Sequence, residues 1–108
     1  MATTNKILGA AMPGVNTYET LYQVPANTQA TASVFISNQD SSLDDSVWVM
    51  LVPSGQSPDP KYCVIGNGYI TAGTALSLAA FALGAGDAIH VKSQEGLCSF
   101  VSTGLETV

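Results

Sequence analysis

Residues Tyr18–Asn38 read YETLYQVPANTQATASVFISN, two alternating runs separated by Val24-Pro25-Ala26-Asn27-Thr28. Before the interruption Tyr18, Thr20 and Tyr22 alternate with Glu19, Leu21 and Gln23; after it Ala30, Ala32, Val34 and Ile36 alternate with Thr31, Ser33, Phe35 and Ser37. A period of two marks strands with one buried face. Pro25 has no N–H to give to a sheet ladder and Asn27 tolerates a left-handed backbone. The strand therefore stops there and restarts at an angle, as at the corner of a sandwich.

The same turn chemistry recurs. Val24-Pro-Ala-Asn-Thr28, Ile70-Thr-Ala-Gly-Thr74 and Leu83-Gly-Ala-Gly-Asp87 each run from an apolar residue through Ala and then Asn or Gly to Thr or Asp. Asn or Gly takes positive φ cheaply, and the next side chain is expected to accept a local backbone hydrogen bond. Three copies point to one construction rule.

Outward from these turns, Val47–Val52 (VWVMLV) is the most apolar run. It puts Val47, Val49 and Leu51 on one face and Trp48, Met50 and Val52 on the other, so both faces need cover. One side is the sandwich core; Trp48 and Met50 on the other are covered either by a second subunit, a contact that Trp and Met at such a position suit, or by the chain's own arm or loops. Tyr62–Ile65 and Tyr69-Ile70 read as strands joined at Asn67-Gly68, a two-residue hairpin signal. Ala75–Leu83 (ALSLAAFAL) fits a helical face through Leu76, Ala79 and Leu83, but its flanking turns favour a strand that deviates at Phe81. Ile89, Val91 and Ser93 then alternate with Ala88, His90 and Lys92, and Leu97–Thr103 closes the series. The count is about seven or eight strands, that of a single antiparallel β-sandwich of Greek-key or jelly-roll type. Residues 17–108 form that domain in this reading. Residues 1–16, with Gly9, Pro13 and Gly14 and no clear period, form an extended N-terminal arm that offers Ile7, Leu8 and Met12 to a neighbouring subunit.

Composition narrows the function. Charged residues are 10% of the 108-residue chain and apolar ones 46%, so Ser, Thr, Asn, Gln and small apolar side chains must cover much of the surface, which suits contact with protein. Three lysines, no arginine and a net charge of −5 cannot neutralise a phosphate backbone, which excludes nucleic acid. No run is apolar and long enough to span a membrane, and Ile7–Met12 is too short for a signal core, so synthesis in the cytoplasm is expected. Cys63 and Cys98 are read as free thiols behaving as small hydrophobes, with a cross-sheet disulfide as the alternative.

Chemistry-bearing groups are sparse. His90 is the sole imidazole, and on a strand Ser93 projects to the opposite face from it, so no local triad forms. There is neither a Gly-x-Ser-x-Gly elbow nor a phosphate-binding glycine loop. Asp40, Asp44 and Asp45 could offer oxygens to Ca²⁺ but lack the alternation and glycine of an EF-hand loop; an ordinary solvated turn is expected. Tyr62 and Tyr69 could stack on a sugar, though on strands they read as structural. No catalysis, metal or cofactor is expected.

LYQVPANTQATASVFISNQ, then VWVMLVPSG, AGDAIHVKS and the closing CSFVSTGLE resemble a group of small virion proteins of tailed bacteriophages, over about Tyr18 to Glu106. The resemblance implies a small β-sandwich in the virion. It is expected on the outer capsid surface as a decoration (cement) protein, a homo-oligomer, often a trimer, bound to the major capsid protein. The alternative it leaves open is a tail or fibre component that binds a host-surface glycan through Asn38–Ser46 and Tyr62.

Overall fold

Alternation runs unbroken from Gln29 to Asn38. In a computed structural model of the chain, which describes residues 2–108, these ten residues are one strand whose even-numbered side chains are all buried. In chain order the strands are β1 (Thr3–Ala11), β2 (Glu19–Gln23), β3 (Gln29–Asn38), β4 (Asp45–Val52), β5 (Cys63–Ile70), β6 (Ala75–Leu83), β7 (Ala88–Ser93) and β8 (Cys98–Thr107), with a 3₁₀ turn at Pro60–Tyr62 before β5. They form two antiparallel four-stranded sheets, ordered β1-β8-β3-β6 and β2-β7-β4-β5, so the protein is an all-β sandwich.

The pairing is nested. β4 pairs with β5, β3 with β6, β2 with β7 and β1 with β8, while β3–β8 and β4–β7 contacts stitch the ribbon to itself. A two-stranded ribbon folded at its middle and wrapped into two sheets is the jelly-roll topology. The core fills the space between the sheets with Ala32, Val34, Ile36 and Phe100 from the first and Val47, Val49, Ile89 and Val91 from the second, all fully buried. Ala75–Leu83 is a strand, as the flanking turns required. Its register against β3 shifts between Ala32 and Val34, and the extra β6 residue brings Leu78, Phe81 and Leu83 to the core side.

The three repeated turns share one backbone device: Asn27 (φ 57°), Gly73 (φ 69°) and Gly86 (φ 84°) all lie in the left-handed region. Their last residues differ from the expectation. The hydroxyls of Thr28 and Thr74 donate to the carbonyls of Ala26 (3.1 Å) and Thr71 (2.7 Å), and only Asp87 accepts, from the Gly84 N–H (2.8 Å).

Two other expectations change. Asn67-Gly68 does not turn the chain: β5 runs straight through it, opposite β4, and Asn67 (φ 58°) lies where the register shifts between Val47 and Val49. A bulge needs the same positive φ as a hairpin, so the dipeptide alone does not separate them. Residues 2–16 do extend, but Thr3–Ala11 is not free; it pairs with β8 as the edge of the first sheet. Its alternation is faint because an edge strand buries little of either face. Beyond it, Val15 bridges Ser93 and the Asn16 N–H donates to the Ser93 carbonyl (2.9 Å), so the crossing to the second sheet is pinned.

Candidate interaction surface

The register fixes which side chains share the outer face of the first sheet. Across the strands run the rows Ala10–Val101–Phe35–Ser77, Ile7–Thr103–Ser33 and Asn5–Leu105–Thr31–Ala82. Thr3, Thr107 and Gln29 close the face at one end; Ser99, Ser37 and Ala75 close it at the other. None of these residues is charged. All three lysines and eight acids of the chain lie in turns, on the second sheet or on the inward side. Ile7 (69% exposed) and Phe35 (46%) stand out from a field of small residues. Beside Phe35 a groove of about 270 Å³ is lined by Ser37, Leu76, Ser77, Ser99 and Val101. Four strands of nine or ten residues make a face of about 19 × 30 Å, about 570 Å² before side-chain relief is added.

Directly beneath this face lies the chain's one ion pair among the described residues. Lys6 on β1 meets Glu106 on β8 at 2.7 Å, and Glu106 accepts a short hydrogen bond from the Tyr22 hydroxyl on β2 of the other sheet. Lys6 and then the Tyr22 hydroxyl hold the Glu106 carboxyl below its usual range, while burial and then Glu106 push the Tyr22 hydroxyl up. β1 is thus tied by charge to its neighbour and to the opposite sheet.

The outer face of the second sheet is different in kind. Met50 (1% exposed) and Val52 (2%) point outward from β4 yet are covered, and the 3₁₀ turn of the β4–β5 connection lies against β4. The Lys92 ammonium sits 4.1 Å from the Trp48 ring centre and 4.7 Å from that of Tyr18, a cation–π sandwich that occupies the Trp48 face. His90, half-buried, has Thr20 Oγ1 3.4 Å from Nδ1, and burial lowers its pKa, so the ring is neutral at pH 7.

The acidic connection between β3 and β4 is occupied with structural work. Asp40 accepts the N–H groups of Ser42 (2.9 Å) and Leu43 (2.6 Å), which hold its carboxyl below the usual range. Asp44 accepts from the Tyr69 hydroxyl and the Ala72 N–H (2.9 Å) and is likewise lowered. Asp45, only 2% exposed, takes the N–H groups of Ser46 (2.7 Å), Glu95 (2.9 Å) and Leu97 (3.1 Å) and the Ser93 hydroxyl. Burial alone would raise its pKa, but these four donors together outweigh burial and lower it. The three carboxylates turn to separate sets of donors, and no group of three or more His, Cys, Asp or Glu able to hold a metal is found among the described residues. Ser93, whose hydroxyl is committed to Asp45, lies on the inward side away from His90.

The sequence-named contact residues separate into two groups. Ile7 and Met12 (53% exposed) face outward, whereas Leu8 packs against the core and Met50 is buried within its own chain. Trp48 is half-buried under Lys92. Leu8 turns inward because side chains alternate along β1 and Ile7 before it faces out, the register shift that follows returning Ala10 rather than Gly9 to the outer face; Met50 is covered by its own chain, so no second subunit is needed over it. Tyr69 is 66% exposed and Tyr62 half-buried, each on a different feature rather than on a shared cleft. Cys63 and Cys98 are both free thiols. Phe35 and Val101 were not singled out by sequence, although the uncharged outward positions of β3 and β8 were there to be read. Comparison with protein-family models, curated proteins and solved structures finds no match for the chain.

Proposed function

We propose that the chain is a virion structural protein of a tailed bacteriophage, a capsid decoration (cement) protein that binds the outer shell as a homo-oligomer and strengthens it by bridging capsid subunits. The observation that carries this reading is the charge-free outer face of the first sheet. Charge depletion with exposed Phe and Ile among its residues is the compositional mark of a protein interface. A jelly roll adds fold-level analogy only, since that architecture serves viral shells and lectins alike. The sequence resemblance supplies the virion context. Mechanistically, several weak contacts held in one oligomer raise each other's effective concentration on a repeating lattice, so modest interfaces suffice for firm attachment.

The test is the copy number of the chain in purified virions, measured by quantitative mass spectrometry against the major capsid protein. A fixed ratio comparable to the capsid protein is expected, together with lower heat resistance of particles that lack the chain. A handful of copies per particle would instead place it in the tail or a fibre. Absence from particles overturns both locations.

A further inference from the structure

We infer that the charge-free outer face of the first sheet packs against the same face of further copies of this chain. This rests on reading that face as a docking surface and names what docks on it.

Charge is the first argument. The chain carries a net −5, and apart from Glu106, which is paired with Lys6 on the inward side, its acids lie in the turns and on the second sheet, so copies that meet through those surfaces bring like charges together. Copies that meet through the first sheet bring no charge against any charge. Such a face is self-complementary electrostatically, and it excludes charged surfaces, which would leave buried ions unpaired.

Shape and size are the second. About 570 Å² of flat sheet, increased by side-chain relief, approaches the ~800 Å² that a standard interface takes from each partner. The face has both relief and recess: Ile7 projects from β1, and the groove of about 270 Å³ beside Phe35 offers a facing copy a place to seat it. The rows between, Ser33, Thr103, Ser77 and Ala10, are small enough for close approach.

The third argument is the edge that borders the face. β6 is the outermost strand, nine residues with no charge, no proline and no glycine. The other sheet edges are more strongly blunted: β1 carries Lys6, β2 is only five residues long, and β5 has two register shifts against the single one of β6. Long uncharged edges are left open where another strand or subunit covers them.

The experiment is sedimentation velocity on the purified chain, without capsids, over a range of concentrations. The wild type is expected to form a discrete oligomer. Thr103→Lys and Phe35→Asp, each an outward position whose change leaves the core intact, are expected to weaken association about 100-fold or more by burying an unpaired charge. Leu43→Asp, at a 59% exposed site off the face, is expected to leave it unchanged. Circular dichroism and thermal melting check that each variant is folded; Ser33→Lys replaces any that is not. A wild type that stays monomeric at high concentration overturns the inference, as does an oligomer that survives both face variants. Virion location is read separately by copy number, so either conclusion can fail without the other.

Discussion

Replacing Asp45 with alanine strips an acceptor from four donors at once: the N–H groups of Ser46, Glu95 and Leu97 and the hydroxyl of Ser93. These donors belong to the start of β4 and to the β7–β8 turn, so one carboxylate joins the second sheet to the chain entering the first. Hydrogen bonds to a charged group contribute about 1.5–3 kcal/mol each, but the N–H groups are only part-buried and water will reach some of them. The expected net loss is about 3–4 kcal/mol, a large share of the roughly 5–15 kcal/mol that holds a domain of this size folded. At about 4–5 °C per kcal/mol, the melting temperature should fall by about 12–20 °C. Asp45→Asn is a finer probe. Its oxygen can keep Ser46 and Glu95, but its amide faces the Leu97 N–H, so about half the loss should remain. Because the folded pKa of Asp45 is depressed, its stabilisation is present above the ordinary carboxylate pKa and is lost as pH falls through the folded value. The gap between wild type and Asp45→Ala should therefore close in acid. Urea unfolding at several pH values, followed by the fluorescence of the single tryptophan on β4, reads all of this. A loss under about 1 kcal/mol, or a gap that stays constant down to pH 2, refutes the reasoning.

Three further outcomes are expected. Gly104→Ala should destabilise by about 1–3 kcal/mol in urea titration, because a Cβ there runs into the Thr31 carbonyl oxygen of the adjacent strand; a neutral result would mean that β3 and β8 can part without cost. Glu106→Gln should lower the melting temperature at pH 7 and flatten the acid limb of the stability profile, since the depressed Glu106 pKa makes its contribution fade as pH falls; an unchanged acid limb would show that the Lys6 and Tyr22 contacts are not made in solution. Burial pushes the Cys98 thiol up to about 12, so a thiol reagent at pH 8 should label no more than the half-buried Cys63 in the native protein and both cysteines in denaturant; rapid native labelling of both would contradict the packing around Phe100.

What could be read from the sequence followed from burial. β3 and β7 lie inside their sheets with one face in the core, so Ala30 to Ile36 and Ile89 to Val91 announce themselves by alternation. β1 is an edge with most side chains at least partly exposed, and no apolar period survives to mark it as a strand. The turns were legible because positive φ restricts the residue at Asn27, Gly73 and Gly86, yet the same restriction at Asn67 served a bulge. Leu8 and Met50 are covered by parts of the chain distant in sequence, the sandwich core in one case and the cover over the outer side of β4 in the other, and such cover has no local signature. The charge-free face is legible only as a lack: β3 and β8 carry no charge at any outward position, a pattern that gains meaning once the register lays Phe35 beside Val101.

The nested ribbon also sets an order of events. Ten residues (53–62) separate β4 from β5, whereas 86 (12–97) separate β1 from β8. Closing the longer loop first costs about 2 kcal/mol more chain entropy, which favours zipping from β4–β5 outward with β1 docking last. Ile7, Ala10 and the Lys6 contact to Glu106 arrive with that final strand. On that order, the charge-free face lacks one border until everything beneath it is in place, and a contact that needs the whole face, if copies make one, is open only to chains that have finished folding.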